Sequence, residues 1–207
     1  MSRLIAFGDS FTYGHGLPDS HIPPDLPGPN PSKFAWPQIL GNMLGTEVIN
    51  KSKPGHSNIQ ILQDILSFDI LKTDVVIVGW TFVVRDCIFK KNILGIDTSI
   101  KVSPWHKDTA FIKNYFNVHN DYDMAVRAGL YIHHAESYLK TKVSNQHHFC
   151  AHQEVLDVMP SFTLIPENFI NGKLLPRIDK ALDNSHPGLA SHQQAAETLY
   201  EIINGTK

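Results

Sequence analysis

Leu4-Ile5-Ala6-Phe7-Gly8-Asp9-Ser10-Phe11-Thr12-Tyr13-Gly14 runs from a short apolar segment straight into a Gly-Asp-Ser turn. The apolar residues, led by Arg3, suit a first strand, and the glycine ends it. Ser10 then stands at the carboxyl end of that strand, the edge at which open α/β sheets bind ligands. A serine in this place also makes a good helix cap or turn former. Chemistry at Ser10 therefore requires partners elsewhere in the chain: a base, an acid to orient the base, and donors for a developing oxyanion.

The pattern after Ser10 decides the fold. Residues 14 to 33, GHGLPDSHIPPDLPGPNPSK, hold six prolines and three glycines, which exclude a helix or a central strand. That stretch reads as a wall or lid of a site, or equally as a stiff connecting loop. Phe34 to Leu44 reads as a first helix, Thr46 to Asn50 as a second strand, and Ser57 to Phe68 as a helix with Ile59, Leu62 and Leu66 in one stripe. Asp74 to Gly79 is a continuous run rich in β-branched residues, suited to a parallel strand covered on both faces. This β-α-β-α-β order predicts a three-layer α/β/α sandwich of flavodoxin-like appearance, with a mostly parallel sheet of about five strands.

Residues 81 to 118 lack a clean period and contain Pro104-Trp105-His106, so they read as an insertion with short helical pieces. Asp121 to Leu139 has helical spacing. His148 to Ala151 suits a fourth strand, and Glu154 to Leu164 another short strand or helix. From Pro187 onward, Ala195, Ala196, Leu199, Ile202 and Ile203 form one helical stripe that Gly205 ends. The absence of repeats or linker signatures predicts one domain over residues 1–207.

Composition narrows the function. The 207 residues are 42% hydrophobic and 18% charged, as in an ordinary globular protein. The formal charge of −2 argues against a general electrostatic grip on nucleic acid or an anionic membrane. No apolar run approaches the ~20 residues of a membrane span. Met1-Ser2-Arg3 leads directly into the first strand, leaving no room for a secretory signal, which predicts a cytoplasmic protein. Cys87 and Cys150 read as free, buried thiols.

A base and an acid occur together near the far end, in Asp183-Asn184-Ser185-His186-Pro187-Gly188. An Asp three residues before a His, in a turn, can fold its carboxylate onto the imidazole Nδ1, fixing the tautomer and stabilising the imidazolium. Pro187 suits a first helical turn. Both the Ser10 turn and this turn can reach the same sheet edge.

These residues resemble the GDSL/SGNH hydrolases. Gly8-Asp9-Ser10 is similar to the family's first block, and Asp183 to His186 to its last, Asp-x-x-His. Ser52-Lys53-Pro54-Gly55-His56-Ser57 resembles the second block, which centres on a glycine. The resemblance implies a serine esterase with Ser10 as nucleophile, His186 as base and Asp183 as acid. It also implies an oxyanion site on the N–H groups of Ser10 and Gly55. The implied substrate is a small-molecule or carbohydrate ester such as an O-acetyl group, with no cofactor. The third block departs: where the family has Gly-x-Asn-Asp, this chain reads Gly79-Trp80-Thr81-Phe82. Thr81 takes the place of the asparagine that donates to the oxyanion, and Asn58 offers a replacement amide. The Gly-Trp-Thr form is similar to small SGNH-like proteins of phages and other viruses, which implies a viral product made in a host cytoplasm. The altered block also motivates an alternative, a binding or structural module that kept the fold and lost turnover.

Other residues have plainer readings. Trp80, at the end of the third strand, is placed to stack on a sugar or acyl group, whereas Trp36 and Trp105 read as core or rim aromatics. Arg85 and Asp86 read as a pair on the site edge or in solvent. His133, His134, Glu136, His148 and His152 lack HExxH spacing, so no metal site is expected. Gly8-Asp9-Ser10-Phe11-Thr12 is not Gly-x-Ser-x-Gly, and no dinucleotide or Walker signature is present.

Overall fold

A computed structural model describes residues 2–93, 97–106, 109–150, 169–170 and 177–205. Strand β1 (Arg3–Phe7) leads into the one-turn helix α1 (Ser10–Tyr13), and the proline-rich stretch carries the short strands β2 (His21–Ile22) and β3 (Leu26–Pro27). Next come α2 (Trp36–Leu44), β4 (Glu47–Asn50), α3 (Asn58–Ser67) and β5 (Val75–Trp80). Then follow β6 (Asp86–Lys91), β7 (Asp97–Val102), α4 (Ala110–Val118), α5 (Asp121–Lys140), β8 (Asn145–Cys150) and a last helix, α6 (Leu189–Ile203).

The central sheet has the order β4-β1-β5-β8, and every pairing is parallel. In chain order its strands lie 2-1-3-4, the beginning of the flavodoxin-like 2-1-3-4-5 arrangement. About five strands were expected, and four are described. Where a fifth would lie, Phe169 makes a single parallel bridge to His148. The segment Glu154 to Leu164, predicted as a strand or helix, lies outside the described residues, as do Ala151 and His152.

Alternation along the strands builds the three layers. Ile5 and Phe7 of β1, with Val76 and Val78 of β5, face α3 and α5 and pack on Ile61, Ile65, Ile132 and Leu139. Leu4, Ala6 and Ile77 point the other way, onto Trp36 and Leu40 of α2 and Ala195, Ala196 and Leu199 of α6. Ser10 leaves the sheet between its two outward-running neighbours, β4 on one side and β5 on the other, which is the topological switch point of such a sheet.

The insertion differs from its expected helical pieces. Its first half is an antiparallel hairpin, β6 with β7, whose register runs from Asp86 opposite Val102 to Lys91 opposite Asp97. Helix α4 forms the second half. No helix among the described residues is long and apolar enough to cross a membrane. Cys87 and Cys150 are free and buried, and burial raises both thiols, Cys87 to about 11.

Two buried histidines predict acid sensitivity. Burial pushes His148 down to about 3 and His192 down to about 4, from an ordinary 6.5. Each accepts a hydrogen bond at Nδ1, His148 from Trp80 Nε1 at 3.2 Å and His192 from the Trp36 N–H at 3.2 Å. Below pH 6.5 the unfolded chain takes up protons that the folded chain refuses. The stability these neutral rings contribute is therefore full above 6.5 and is lost as pH falls towards 4, by up to about 1.4 kcal/mol per pH unit for each ring. His148→Gln, which keeps an acceptor, should flatten that dependence in urea unfolding midpoints between pH 7 and pH 4.5. An unchanged slope would remove His148 as a cause.

Candidate active site

Ser10 is placed by a short, heavily tied turn. The Asp9 side chain caps α1, accepting from the Phe11 N–H at 2.9 Å, and Gly14 closes the helix in the left-handed region at φ 78°. Asn50, at the end of β4, donates its amide to the Thr12 carbonyl at 3.0 Å. Gly8 permits the close approach: a Cβ there would lie 2.3 Å from Thr12 Oγ1.

The Asp183–His186 turn comes to the same edge. Lys180 bridges Pro187, and the Ala181 N–H donates to the His186 carbonyl at 2.9 Å, so residues 181–186 close a tight loop. Asn184 sits at φ 57°, a left-handed conformation that asparagine tolerates. Pro187 was expected in the first helical turn. It lies instead in that bridge, and α6 begins after Gly188. The helix is capped from a distance, by Asp179, whose carboxylate accepts from Ala190 N–H at 3.0 Å and Ser191 N–H at 2.9 Å.

Within the loop, Asp183 Oδ1 accepts from the Ser185 and His186 N–H groups, each at 3.1 Å, and Oδ2 bonds His186 Nδ1. Burial alone would raise the Asp183 carboxyl. The His186 N–H, the imidazole and the Ser185 N–H outweigh it and hold the group down to about 2. An ionised carboxylate only accepts, so His186 Nδ1 carries the donated proton and Nε2 is left as acceptor. Nε2 lies 2.9 Å from Ser10 Oγ. Ser10, His186 and Asp183 thus form one hydrogen-bonded chain across 176 residues of sequence separation.

The start of the proline-rich stretch braces that loop. The Gly16 carbonyl accepts from Leu182 N–H at 2.9 Å, and a Cβ on Gly16 would lie 2.7 Å from the Asp183 carboxyl carbon. His15 lays its ring against His186, centroids 4.5 Å apart. Burial, then the His186 charge, lowers the His15 pKa, so a neutral ring is favoured there. The stretch is itself tied down, with Tyr13 donating to the Gly28 carbonyl at 2.6 Å and Asp19 accepting from Ser32 and from Lys33 N–H. His15, Asp183 and His186 are the one group among the described residues whose ligand atoms converge as for a metal, within 4.8 Å. Two of the three are already bonded to each other.

The second-block turn lies beside Ser10. The Lys53 N–H donates to the Gly8 carbonyl at 3.2 Å, and Gly55 adopts φ 75°. Ser10 N–H, at the first residue of α1, has no intrahelical acceptor. No acceptor for Gly55 N–H is found among the described residues.

Three expected site residues stand differently. Thr81 is fully buried and donates its hydroxyl to Asp9 Oδ2 at 2.6 Å. Asn58 is spent on the same strand end: its amide donates to the Thr81 carbonyl at 3.2 Å and its oxygen accepts from Thr81 N–H at 2.9 Å. Neither side chain is left for an incoming oxygen. Trp80 is also fully buried, because strand alternation sends it to the side of Val76 and Val78, under α5. No face of its ring is open to a sugar.

Arg85 was missed. It pairs not with Asp86 but with Asp9 Oδ2, at 2.8 Å, with its side chain 10% exposed. Its guanidinium lies over Phe82 and over Trp105, at 5.3 and 5.2 Å from the ring centroids. Asp86 turns away, accepting from the Tyr115 hydroxyl at 2.5 Å. Its contacts with Asp9 and His56 were not legible in the sequence, since those residues lie 76 and 29 positions away. Arg177, over the Phe11 ring at 5.4 Å, was hidden for the same reason.

No family model matches the sequence, and no curated protein matches it. Solved structures do match the fold, several of them esterases. An acetyl xylan esterase from the rumen bacterium Butyrivibrio proteoclasticus superimposes with a TM-score of 0.59 at 14% identity, over 99% of this chain and 64% of its own. A carbohydrate acetylesterase from Sinorhizobium meliloti gives 0.54 at 11% identity, with both chains covered in full, 100% and 100%. A family two carbohydrate esterase from Clostridium thermocellum, solved with cellohexaose, gives 0.53 at 13% identity over 99% of this chain and 64% of that one. This chain spans under two thirds of the length of the first and third. At such identities the likeness is one of fold: the chain has the α/β/α architecture on which these carbohydrate esterases are built.

Proposed function

We propose that the protein is a GDSL/SGNH-type serine esterase that removes acyl groups, acetyl on carbohydrate foremost, through Ser10, His186 and Asp183. The observation that carries this reading is the 2.9 Å contact of His186 Nε2 with Ser10 Oγ, with Nδ1 held by a carboxylate that stays ionised to about pH 2. In this reading Ser10 Oγ attacks the ester carbonyl as His186 Nε2 takes its proton. The carbonyl oxygen becomes an oxyanion and rests on the N–H groups of Ser10 and Gly55. Collapse expels the alcohol, which receives the proton from His186, and leaves the acyl group on Ser10. Water, deprotonated by the same imidazole, then releases the acid. These steps call on no cofactor. Carbohydrate is favoured as the alcohol side because several of the similar solved structures are named as carbohydrate esterases, beside one named as an aryl esterase.

One observation favours a second reading, a binding module with little turnover: Thr81 and Asn58 are both committed to the protein, so neither replaces the family's asparagine as a donor. A fluorophosphonate probe separates the two. The esterase reading expects one phosphonyl group on the peptide containing Ser10, blocked by prior denaturation. A folded protein that resists the probe at Ser10 would favour the binding module.

A further inference from the structure

We infer that Arg85 and Lys101, from the two arms of the 81–118 insertion, are positioning residues that clamp the Gly55 turn against the Ser10 turn and so set the two oxyanion donors. The inference rests on the esterase reading and assigns that site a part of the chain with no counterpart in its sequence blocks.

The clamp joins three separate segments. Arg85 Nη1 alone lies 2.8 Å from Asp9 Oδ2, 2.9 Å from Thr81 Oγ1 and 3.3 Å from the His56 carbonyl. Asp9 immediately precedes Ser10, His56 immediately follows Gly55, and Thr81 follows β5. One guanidinium nitrogen therefore fixes the residues next to both N–H groups. The side chain is largely buried and its guanidinium lies over Phe82 and Trp105, which limits its rotation.

Lys101 of β7 acts on the donor peptide itself. Its ammonium donates to the Pro54 carbonyl at 2.7 Å. The Pro54 C=O and the Gly55 N–H belong to one planar trans peptide, so they point in opposite directions. Holding the oxygen on one side aims the hydrogen to the other, and a cation on the oxygen polarises the N–H as a donor. A side chain on Gly55 would displace this contact, since its Cβ would lie 2.8 Å from Lys101 Nζ. The spent hydroxyl of Thr81 fits the same account. It does not touch the oxyanion but anchors Asp9 and Arg85, so the third block contributes rigidity instead of a hydrogen bond.

A lost oxyanion donor costs about 10²–10³-fold in turnover, so a donor left in place but loosely aimed should cost about 10- to 100-fold. The test measures kcat and KM on p-nitrophenyl acetate, the rate of probe attachment at Ser10, and the melting temperature. Lys101→Met should lower kcat about 10-fold with KM within about twofold and melting unchanged, and Lys101→Arg should restore most of it. Arg85→Ala should lower kcat about 100-fold at constant KM, with partial recovery on adding guanidinium at millimolar concentration. Arg85→Lys, which keeps the charge and stem but not the planar fork, should fold even if the alanine variant does not, and should stay at least about 10-fold slow. A wild type that takes the probe while every variant keeps kcat within about twofold, or changes only KM, overturns the clamp and leaves the esterase. A wild type that neither takes the probe nor hydrolyses ester overturns both.

Discussion

Ser10→Ala is expected to lower kcat on p-nitrophenyl acetate by about 10⁵–10⁶-fold, to a rate near that of the remaining N–H donors alone. The change removes one atom that makes one hydrogen bond, to His186 Nε2. The backbone N–H of residue 10 stays, as do the Asp9 cap at Phe11, the Gly55 turn and the Asp183–His186 pair. Stability should change by about 1 kcal/mol, and by no more than about 1.5 kcal/mol, the net worth of a single neutral hydrogen bond. An intact melting curve beside a collapsed rate would assign the loss to chemistry. Deacetylation of an acetylated xylo-oligosaccharide, followed by released acetate, should fall in parallel. Turnover within about tenfold of the wild type on both substrates would remove Ser10 as the nucleophile.

That residue was the most legible part of the chain, and the reason is physical. A strand end, a turn glycine and a capping aspartate are local in sequence, and so is the Asp183–His186 loop, whose four internal contacts span at most three residues. Parallel strands covered on both faces also announce themselves, as Val75 to Val78 do. What the sequence hid was set by distant contacts. The hairpin of β6 and β7 has neither a two-residue turn signal nor clean alternation, and its pairing is what reveals it. Trp80 read as a side chain placed to stack on a sugar or acyl group because its position marks the strand end, whereas its direction follows from the alternation fixed by Val76 and Val78. Thr81 read as a donor because it has a hydroxyl, and Asp9, 72 residues away, was already the acceptor.

The proline-rich stretch shows how rigidity enters such a site. As a sequence it read equally as a lid and as a stiff loop, and its contacts favour the second. Gly16 and His15 reach the Asp183–His186 loop through a carbonyl, a bare Cα and a ring face. The base is therefore held from behind by residues that directly follow α1. Ser10 and His186 are tied to one another through the chain on both sides, and the 2.9 Å contact does not depend on the loop at 181–186 alone.

Asp183→Asn should lower kcat about 10⁴-fold with Ser10 and His186 both in place. The effect depends on which oxygen is replaced. Oδ1 accepts from two backbone N–H groups, so the carboxamide oxygen of the variant must occupy that position. Its NH₂ then replaces Oδ2 and faces His186 Nδ1. Nδ1 must now accept, so the ring proton moves to Nε2, which faces Ser10. A protonated Nε2 cannot take the serine proton. KM should change by less than about threefold, because no group that meets substrate has moved. Losing a charged acceptor should cost about 2 kcal/mol of stability, seen as a lower urea midpoint. Nuclear magnetic resonance gives a second readout: the strongly deshielded Nδ1 proton of the wild type, shared with an ionised carboxylate, should disappear. Probe attachment at Ser10 should slow with kcat, since both need the deprotonated nucleophile. Should the variant keep turnover within about tenfold, Asp183 only shapes the loop, and the base at Ser10 is oriented by something else.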